Sequence, residues 1–343
     1  MIPAAGPLVG RFGPTRIGYL GFTLWISGLG GLLGAFYLTS LPFLIAAFLT
    51  ANIGVFLLNA AINVEAGFVE VTLRKARMAW FHAAFSIGTV TGALLGVASL
   101  RAGISIYWHL LTLMLVAACF AVWVFRNFLP AQAVTAITST SSSAPESAST
   151  ARAKIPASEA WKEKRTLLIG VMVFGTGIME GSASDWLALA MVDGFHLPSW
   201  YGTASLAVFL SALTATRLLS PRLQATFTPD RLLRRLLTLG LVGLALLAFS
   251  PYYWLALLGA ALWGIGAALG YPLSASVLAV DPLRSAGRLS VMSTISFGSA
   301  IAGPALIGYL AEYVGYQQAL GILLVPAFVA WLLTGQLRAE ARA

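Results

Sequence analysis

Long apolar stretches separated by short polar loops run through almost the whole chain. Each stretch is close to the ~20 residues that an α-helix needs to cross a bilayer, where a helix satisfies its own backbone hydrogen bonds. The pattern therefore predicts an all-α membrane protein with ten transmembrane helices. The predicted spans are 17–38, 42–65, 79–100, 106–128, 166–190, 199–219, 232–249, 252–277, 289–311 and 316–337.

The basic residues fall in every second loop. If Arg11 and Arg16 are cytoplasmic, all 21 Lys and Arg residues except Arg101 lie at cytoplasmic loops or helix ends. The positive-inside rule expects such a bias. The sequence therefore predicts a multi-pass protein of the plasma membrane, the inner membrane in a bacterium, with both termini in the cytoplasm.

Composition narrows the class further. Hydrophobic residues make up 59% and charged residues 10% of the 343 positions, so lipid rather than water is the expected solvent. The net charge of +9 is scattered over loops, which favours anionic headgroups over nucleic acid as its partner. The sequence contains no metal-ligand cluster, nucleotide-binding loop or nucleophile arrangement, so we predict neither an enzyme nor a cofactor or metal.

A Ser/Thr/Ala-rich tract divides the chain into four spans and six. We predict an N-terminal half-bundle at 1–129, a cytoplasmic linker at 130–165 and a six-helix half-bundle at 166–343. Span starts repeat with an offset of 210, as between Pro42 and Tyr252, so the halves look duplicated. On this reading the first half lacks its first helix and most of its second. Chance similarity among apolar segments is the alternative.

The loop before the first span carries a recognisable motif. Gly6, Arg11, Gly13 and Arg16 resemble the signature loop of the major facilitator superfamily, although Gly10 stands where that family usually has an acid. The residues from 54 to 96, with 180–181 and 185–186, look like the branch that contains the fucose permease. The resemblance implies a twelve-helix transporter that works by alternating access, with these four residues in a gating loop. Ordinary topogenic arginines are the alternative reading of the loop.

Two acids lie within one predicted span. Glu180 is about 21 Å along it, at hydrocarbon depth, where an ionised acid must face a wet cavity, be paired or take a proton. We predict that Glu180 couples transport to protons; a buried acid satisfied by another helix is the alternative. Asp185 lies about 140° around the helix from Glu180, which suits a helix cap or an outer gate as well as substrate contact.

Other polar and aromatic residues are candidates for the substrate pathway. Asn52, Asn59 and Asn63 form one stripe on a helix and suit the hydroxyls of a sugar-like solute, or equally a contact between helices. Trp263 and Tyr271, on a span that Pro272 should kink, are predicted either to line the site or to face lipid.

A cluster of charges follows the second span. Glu65, Arg77 and His82 are predicted to form part of a gate, together with Glu70 and Arg74; solvated loop charges are the commoner case. We therefore predict a proton-coupled secondary transporter of a small organic solute, sugar-like or a drug, with a monomer favoured. The alternative is a truncated, non-transporting relative that serves as a sensor or an assembly partner.

Overall fold

The computed structural model describes residues 8–9, 11–73, 78–128, 157–281 and 284–338, and no strand occurs among them. Within these ranges, ten helical spans are long and apolar enough to cross a membrane, which confirms the predicted fold class. Two of these spans are interrupted, so the helices are more numerous than the spans. The helices are α1 Pro14–Leu38, α2 Leu41–Leu73, α3 Met78–Arg101, α4 Ile106–Arg126, α5 Ala157–Ala160, α6 Lys164–Phe195, α7 Ser199–Thr226, α8 Pro229–Phe249, α9 Tyr253–Ala267, α10 Gly270–Leu278, α11 Ser285–Val314, α12 Tyr316–Ala319 and α13 Leu324–Leu333.

Several helices extend beyond the apolar stretches that predicted them. α6 has 32 residues and ends where His196 turns into the left-handed region, with φ of 51°. α7 continues through Pro221 to Thr226. A helix ends where its backbone is capped or broken rather than where hydrophobicity ends. The extension of α7 places Arg217 inside a helix instead of near its end.

The chain divides into two compact units. The N-terminal unit comprises Met1–Ala84 and Gly103–Thr150, and the C-terminal unit comprises Phe85–Ala102 and Ala151–Ala343. The contacts thus group most of α3 with the C-terminal unit. The boundaries that we predicted at 129 and 165 stay a proposal about the halves of the bundle.

In the N-terminal unit, α1 and α2 form a close pair. A Cβ added to Gly21 would lie 2.6 Å from the backbone nitrogen of Leu58, so only glycine lets the two backbones approach this closely. The ring of Phe125 from α4 fills the space above Gly18 in the same way. Small residues therefore set the packing distance in this unit.

The C-terminal unit has a continuous apolar core. Its largest fully buried side chains include Trp263 and Phe209, whose rings meet edge to face at 5.2 Å. α8 and α9 cross at glycines: a Cβ on Gly243 would lie 2.5 Å from the Gly259 carbonyl oxygen, and a Cβ on Gly266 would collide with the Gly240 backbone. In lipid the hydrophobic effect does not drive helices together, and close packing through small residues holds them instead.

The span that contains α9 and α10 is broken at residues 268–269. Pro272 has no N–H to donate to the carbonyl of Ala268, four residues earlier, and its ring crowds that carbonyl. α9 ends at Ala267 and α10 begins at Gly270. The break leaves the Ala268 carbonyl oxygen available to a donor from another helix.

Candidate functional site

An ion pair joins the middle of α6 to α7. Glu180 lies at the midpoint of the 32-residue α6. Arg217 Nη2 donates to both of its carboxylate oxygens, at 2.9 Å to Oε1 and 2.8 Å to Oε2. An ionised acid at this depth is costly unless it is compensated. Arg217 supplies that compensation.

The break in the α9–α10 span holds Arg217 in place. Arg217 Nε donates to the Ala268 carbonyl oxygen at 3.1 Å, the group that Pro272 leaves without its helical partner. Arg217 and Glu180 side chains remain 31% and 38% exposed. The pair is therefore anchored on one side and open on the other.

The open side of the ion pair faces a cavity of about 250 Å³. Its wall is mixed, since apolar surface from Val173 and Ala267 alternates with hydroxyl groups. Tyr271 Oη lies 3.1 Å from Ser293 Oγ, at the edge of the same region. The polar residues that line the cavity are Thr176, Glu180, Arg217, Tyr271 and Ser296.

Close helix packing brings these polar groups together. A Cβ on Gly177 would lie 2.7 Å from Ser299 Oγ, and a Cβ on Gly270 would collide with the side chain of Thr176. Glycine at these two positions lets α11 and α10 approach α6. The approach is what carries Ser296 and Tyr271 to the cavity wall.

A second charged cluster lies at the start of α6, which we call the Glu163 cluster (Glu163, Thr166, Arg284 and Arg288). Arg288 Nε donates to Glu163 Oε2 at 2.6 Å, and Arg284 Nη1 donates to Oε1 at 3.0 Å. Thr166 Oγ1 donates to Oε2 at 2.7 Å. The cluster ties α6 to the start of α11.

The surroundings of Glu163 shift its pKa. Burial alone raises the pKa, but hydrogen bonds from Arg288 and Thr166, the charge of Arg288 and a hydrogen bond from Arg284 outweigh it. Together they lower the pKa from 4.5 to about 2. Glu163 is thus ionised over the whole physiological range.

Other basic residues at this end of the unit also have partners. Arg165 Nε donates to the Gln336 carbonyl oxygen at 2.9 Å, and Arg338 Nε donates to Asp230 Oδ2 at 3.0 Å. In the sequence these residues are only markers of orientation. In the structure they also join the ends of helices that are far apart in sequence.

The comparisons with known proteins identify the family. The sequence profile of the Major Facilitator Superfamily matches residues 1–282. The chain belongs to this superfamily. It is similar to an uncharacterized transporter of Sinorhizobium fredii, with 26% identity over 74% of this chain and 64% of the relative. It is also similar to an uncharacterized MFS-type transporter of Yersinia pestis, with 24% identity over 77% of this chain and 65% of the relative. The chain thus spans less than two thirds of these relatives.

The fold is similar to that of solved members of the superfamily. A structure of a variant of the fucose:proton symporter FucP of E. coli has a TM-score of 0.58 and 11% identity, covering 98% of this chain and 87% of FucP. A structure of FucP in the outward conformation has a TM-score of 0.62 and 13% identity, covering 98% of this chain and 86% of FucP. At these identities the likeness shows the fold alone.

In this fold, the predicted pathway residues of the C-terminal unit lie in three different environments. Glu180 and Tyr271 line the cavity. Asp185 is exposed and has neither a hydrogen bond nor an ion pair within the described part of the chain. Trp263 is fully buried in the core of the C-terminal unit and does not line this cavity.

The three asparagines of α2 lie in the N-terminal unit and are exposed. The amide nitrogens of Asn52, Asn59 and Asn63 donate to the carbonyl four residues earlier, at 2.9, 3.0 and 2.8 Å. The amide carbonyl oxygen of each side chain takes no part in these bonds and can accept a further hydrogen bond. A role for this stripe in solute binding stays a prediction.

Part of the predicted gating loop of the superfamily can be placed. Gly13 has φ of 81° and ψ of 155°, a conformation that is nearly restricted to glycine, and α1 begins directly after it. Arg11 lies 5.4 Å from the centre of the Phe12 ring, and Arg16 is exposed. Gly6 lies outside the described residues.

The predicted gate after α2 is described only in part. Glu65 is 6% exposed and lies inside α2 rather than in a solvated loop. Arg77 and Arg74 lie outside the described residues, as do the side chains of Glu70 and His82. Their role in gating stays a prediction.

Sequence reasoning missed Arg217 and the Glu163 cluster. The sequence predicts a topogenic role for Arg217, because the residue lies two positions before the predicted end of its span. An available signal was the coincidence of one acid and one base in adjacent apolar spans, since each costs least when it is paired. Glu163 lies in the predicted polar linker, and no feature of the neighbouring sequence indicates a contact with residues 284–288.

Proposed function

We propose that this chain carries a small organic solute across the membrane by alternating access, and that Glu180 couples the movement to protons. The observation that carries the proposal is the Glu180–Arg217 pair, which lies at the midpoint of α6 and opens onto a cavity. Membership of the superfamily supports transport in general.

The geometry suits an acid that gains and loses a proton. Glu180 is 38% exposed, so a proton can reach it from the cavity. When it is ionised, Arg217 neutralises it; when it is protonated, the interaction between the two weakens. The two protonation states therefore favour different local arrangements, which is the requirement for coupling to a conformational change.

We further propose that both termini and the central linker are cytoplasmic. The distribution of basic residues supports this orientation. Alkaline phosphatase fused after Arg152 should then be inactive, whereas a fusion after His196 should be active. The reverse pattern would contradict the orientation without bearing on transport.

Proteoliposomes that contain the purified chain test the transport proposal. An inward proton gradient should drive accumulation of at least one labelled solute from a panel of L-fucose, D-glucose, D-glucuronate and ethidium. Glu180→Gln should abolish this accumulation but leave counterflow exchange of the same solute, because exchange does not require release of the proton.

Glu312→Gln is the matched control, since Glu312 is an exposed acid of α11 that does not line the cavity. This variant should accumulate solute like the unmodified chain. Accumulation that persists in Glu180→Gln would contradict proton coupling through this residue. A lack of uptake of every solute by the unmodified chain would contradict transport itself.

A further inference from the structure

We propose that the solute of this cavity carries a carboxylate, and that this carboxylate takes the place of Glu180 on Arg217. The inference rests on the proposed function and names its substrate class. It follows from the charges in the cavity and from the geometry of the ion pair.

Arg217 is held in a way that leaves it ready for a carboxylate. Its Nε is bound to the fixed Ala268 carbonyl oxygen, while Nη2 contacts both oxygens of Glu180. Nη1 has no partner within the described part of the chain. A guanidinium stays charged at every accessible pH, and its planar donors match a carboxylate. Glu180 therefore occupies the position that a carboxylate ligand would take.

Protonation of Glu180 leaves Arg217 without a counter-ion. Among the described residues that line the cavity, the titratable side chains are Glu180 of α6, Arg217 of α7 and Tyr271 of α10. α11 contributes the uncharged Ser296. An unpaired cation at this depth is costly, and no other acid lines the cavity among the described residues, so an anion brought by the solute would stabilise the neutral form of Glu180. A carboxylate on the solute supplies it.

The net charge of the site separates the possible substrate classes. With Glu180 ionised and no solute, the pair is neutral. With Glu180 protonated and a monoanionic solute bound, the site is again neutral. A neutral solute bound beside protonated Glu180 leaves a charge of about +1, and a monocation leaves about +2, in a region where charge is expensive. If the loaded site requires protonated Glu180, as the proposed coupling does, only the anion keeps both the empty and the loaded site neutral.

The remaining wall limits the rest of the solute. The cavity of about 250 Å³ lies below the range of about 300–1,000 Å³ that is typical of sites for drug-sized molecules. The hydroxyl groups of Thr176, Tyr271 and Ser296 can form hydrogen bonds with polar substituents of the solute. Val173 and Pro272 offer apolar surface to its carbon atoms. A small hydroxylated or short-chain acid fits this surface better than a large amphiphile.

The test uses matched acids and amides with the purified full chain in detergent. The pairs are lactate and lactamide, D-glucuronate and D-glucuronamide, and benzoate and benzamide. At least one acid should raise the midpoint of thermal unfolding while its amide does not. Because solute binding requires protonation of Glu180, the apparent affinity for the acid should rise as the pH falls, by at most about tenfold per pH unit, over the range in which the solute stays ionised.

Replacement of Glu180 and replacement of Arg217 should have opposite effects on binding of the acid. Glu180→Gln is neutral at every pH, so it should bind the acid more tightly at neutral pH and lose the pH dependence. Arg217→Gln should lose acid binding, whereas Arg222→Gln, an exposed arginine five positions further along α7, should keep it. Circular dichroism and gel filtration establish that the variants are folded. Arg217→Lys, which keeps the charge, should retain weaker binding if Arg217→Gln fails to fold.

Each outcome has a defined meaning. Equal effects of acid and amide, no effect of any acid, or weaker acid binding in Glu180→Gln would overturn the inference. Proton-driven uptake of L-fucose or D-glucose that depends on Glu180 would also overturn it, yet leave the proposed transport intact. Acid binding with the expected pH dependence, but without uptake into proteoliposomes, would support the substrate class and contradict transport.

Discussion

Replacement of Glu163 by glutamine should destabilise the chain in a pH-dependent way. The side chain links α6 to α11 through Arg284 and Arg288, which are 121 and 125 positions away in sequence. Its pKa is lowered from 4.5 to about 2 in the folded protein. At about 1.4 kcal/mol per pKa unit, this shift corresponds to about 3 kcal/mol of folding free energy. Arg284 is 46% exposed, so water screens its interaction with Glu163. We therefore expect Glu163→Gln to lower the free energy of unfolding by about 2 kcal/mol.

The sign of the effect follows from the direction of the pKa shift. A carboxylate with a depressed folded-state pKa stabilises the fold fully above its unfolded pKa, here 4.5, and loses that contribution as the pH falls through about 2. The difference in unfolding free energy between the unmodified chain and Glu163→Gln should therefore be constant near neutral pH. It should shrink between pH 4.5 and about 2 and vanish below that range.

Denaturant titrations of the detergent-solubilised chain, followed by tryptophan fluorescence over a series of pH values, measure this difference. Other acids titrate in the same range, so the comparison is always between variant and unmodified chain at one pH. Glu159→Gln is the control, because Glu159 is exposed and makes no ion pair within the described part of the chain. Equal stability of Glu163→Gln and the unmodified chain at neutral pH would refute the reasoning, as would a difference that does not change with pH.

Three further predictions use the same titrations. Gly266→Ala should lower the free energy of unfolding by about 1–3 kcal/mol, because the new Cβ collides with the backbone of α8. Gly335→Ala should leave it unchanged, because a Cβ there meets open space. Equal effects of the two variants would contradict the role of Gly266 in helix packing. Gln317→Leu should lower the free energy of unfolding by about 1–3 kcal/mol, since it removes two hydrogen bonds of 2.9 Å to carbonyl oxygens at the end of α8. An unchanged midpoint of unfolding would show that these bonds do not stabilise the fold. In a double-mutant cycle, Glu180→Gln and Arg217→Gln should each cost about 1–2 kcal/mol and be coupled by about 1 kcal/mol; strictly additive losses would mean that the two charges do not interact.

Features that depend on one segment at a time were predicted well. The ten spans were predicted because bilayer thickness sets the length of a helix regardless of its neighbours. The position of Glu180 on its helix was also predicted, as was the need for a partner or a cavity. The break before Pro272 follows from the missing N–H of proline alone.

Pairings between distant helices were not predicted. The sequence marks Arg217 only as an orientation signal, because its sequence neighbours resemble those of any helix end. The sequence predicts that Trp263 lines the site or faces lipid, because an apolar helix in lipid has no polar face that would distinguish its core side from its cavity side. α9 turns this ring into the core of the C-terminal unit.

The sequence by itself determined the solvent, the number of spans and the class of fold, because the cost of exposing a peptide group to hydrocarbon acts on each segment separately. Only the tertiary structure decided which charges meet. Glu180 and Arg217 come together because glycines let the helices of the C-terminal unit pack closely and because the broken span provides the carbonyl of Ala268 as an anchor. Such contacts depend on helix rotation and depth, which the hydrophobic pattern of a nearly uniform apolar helix does not specify.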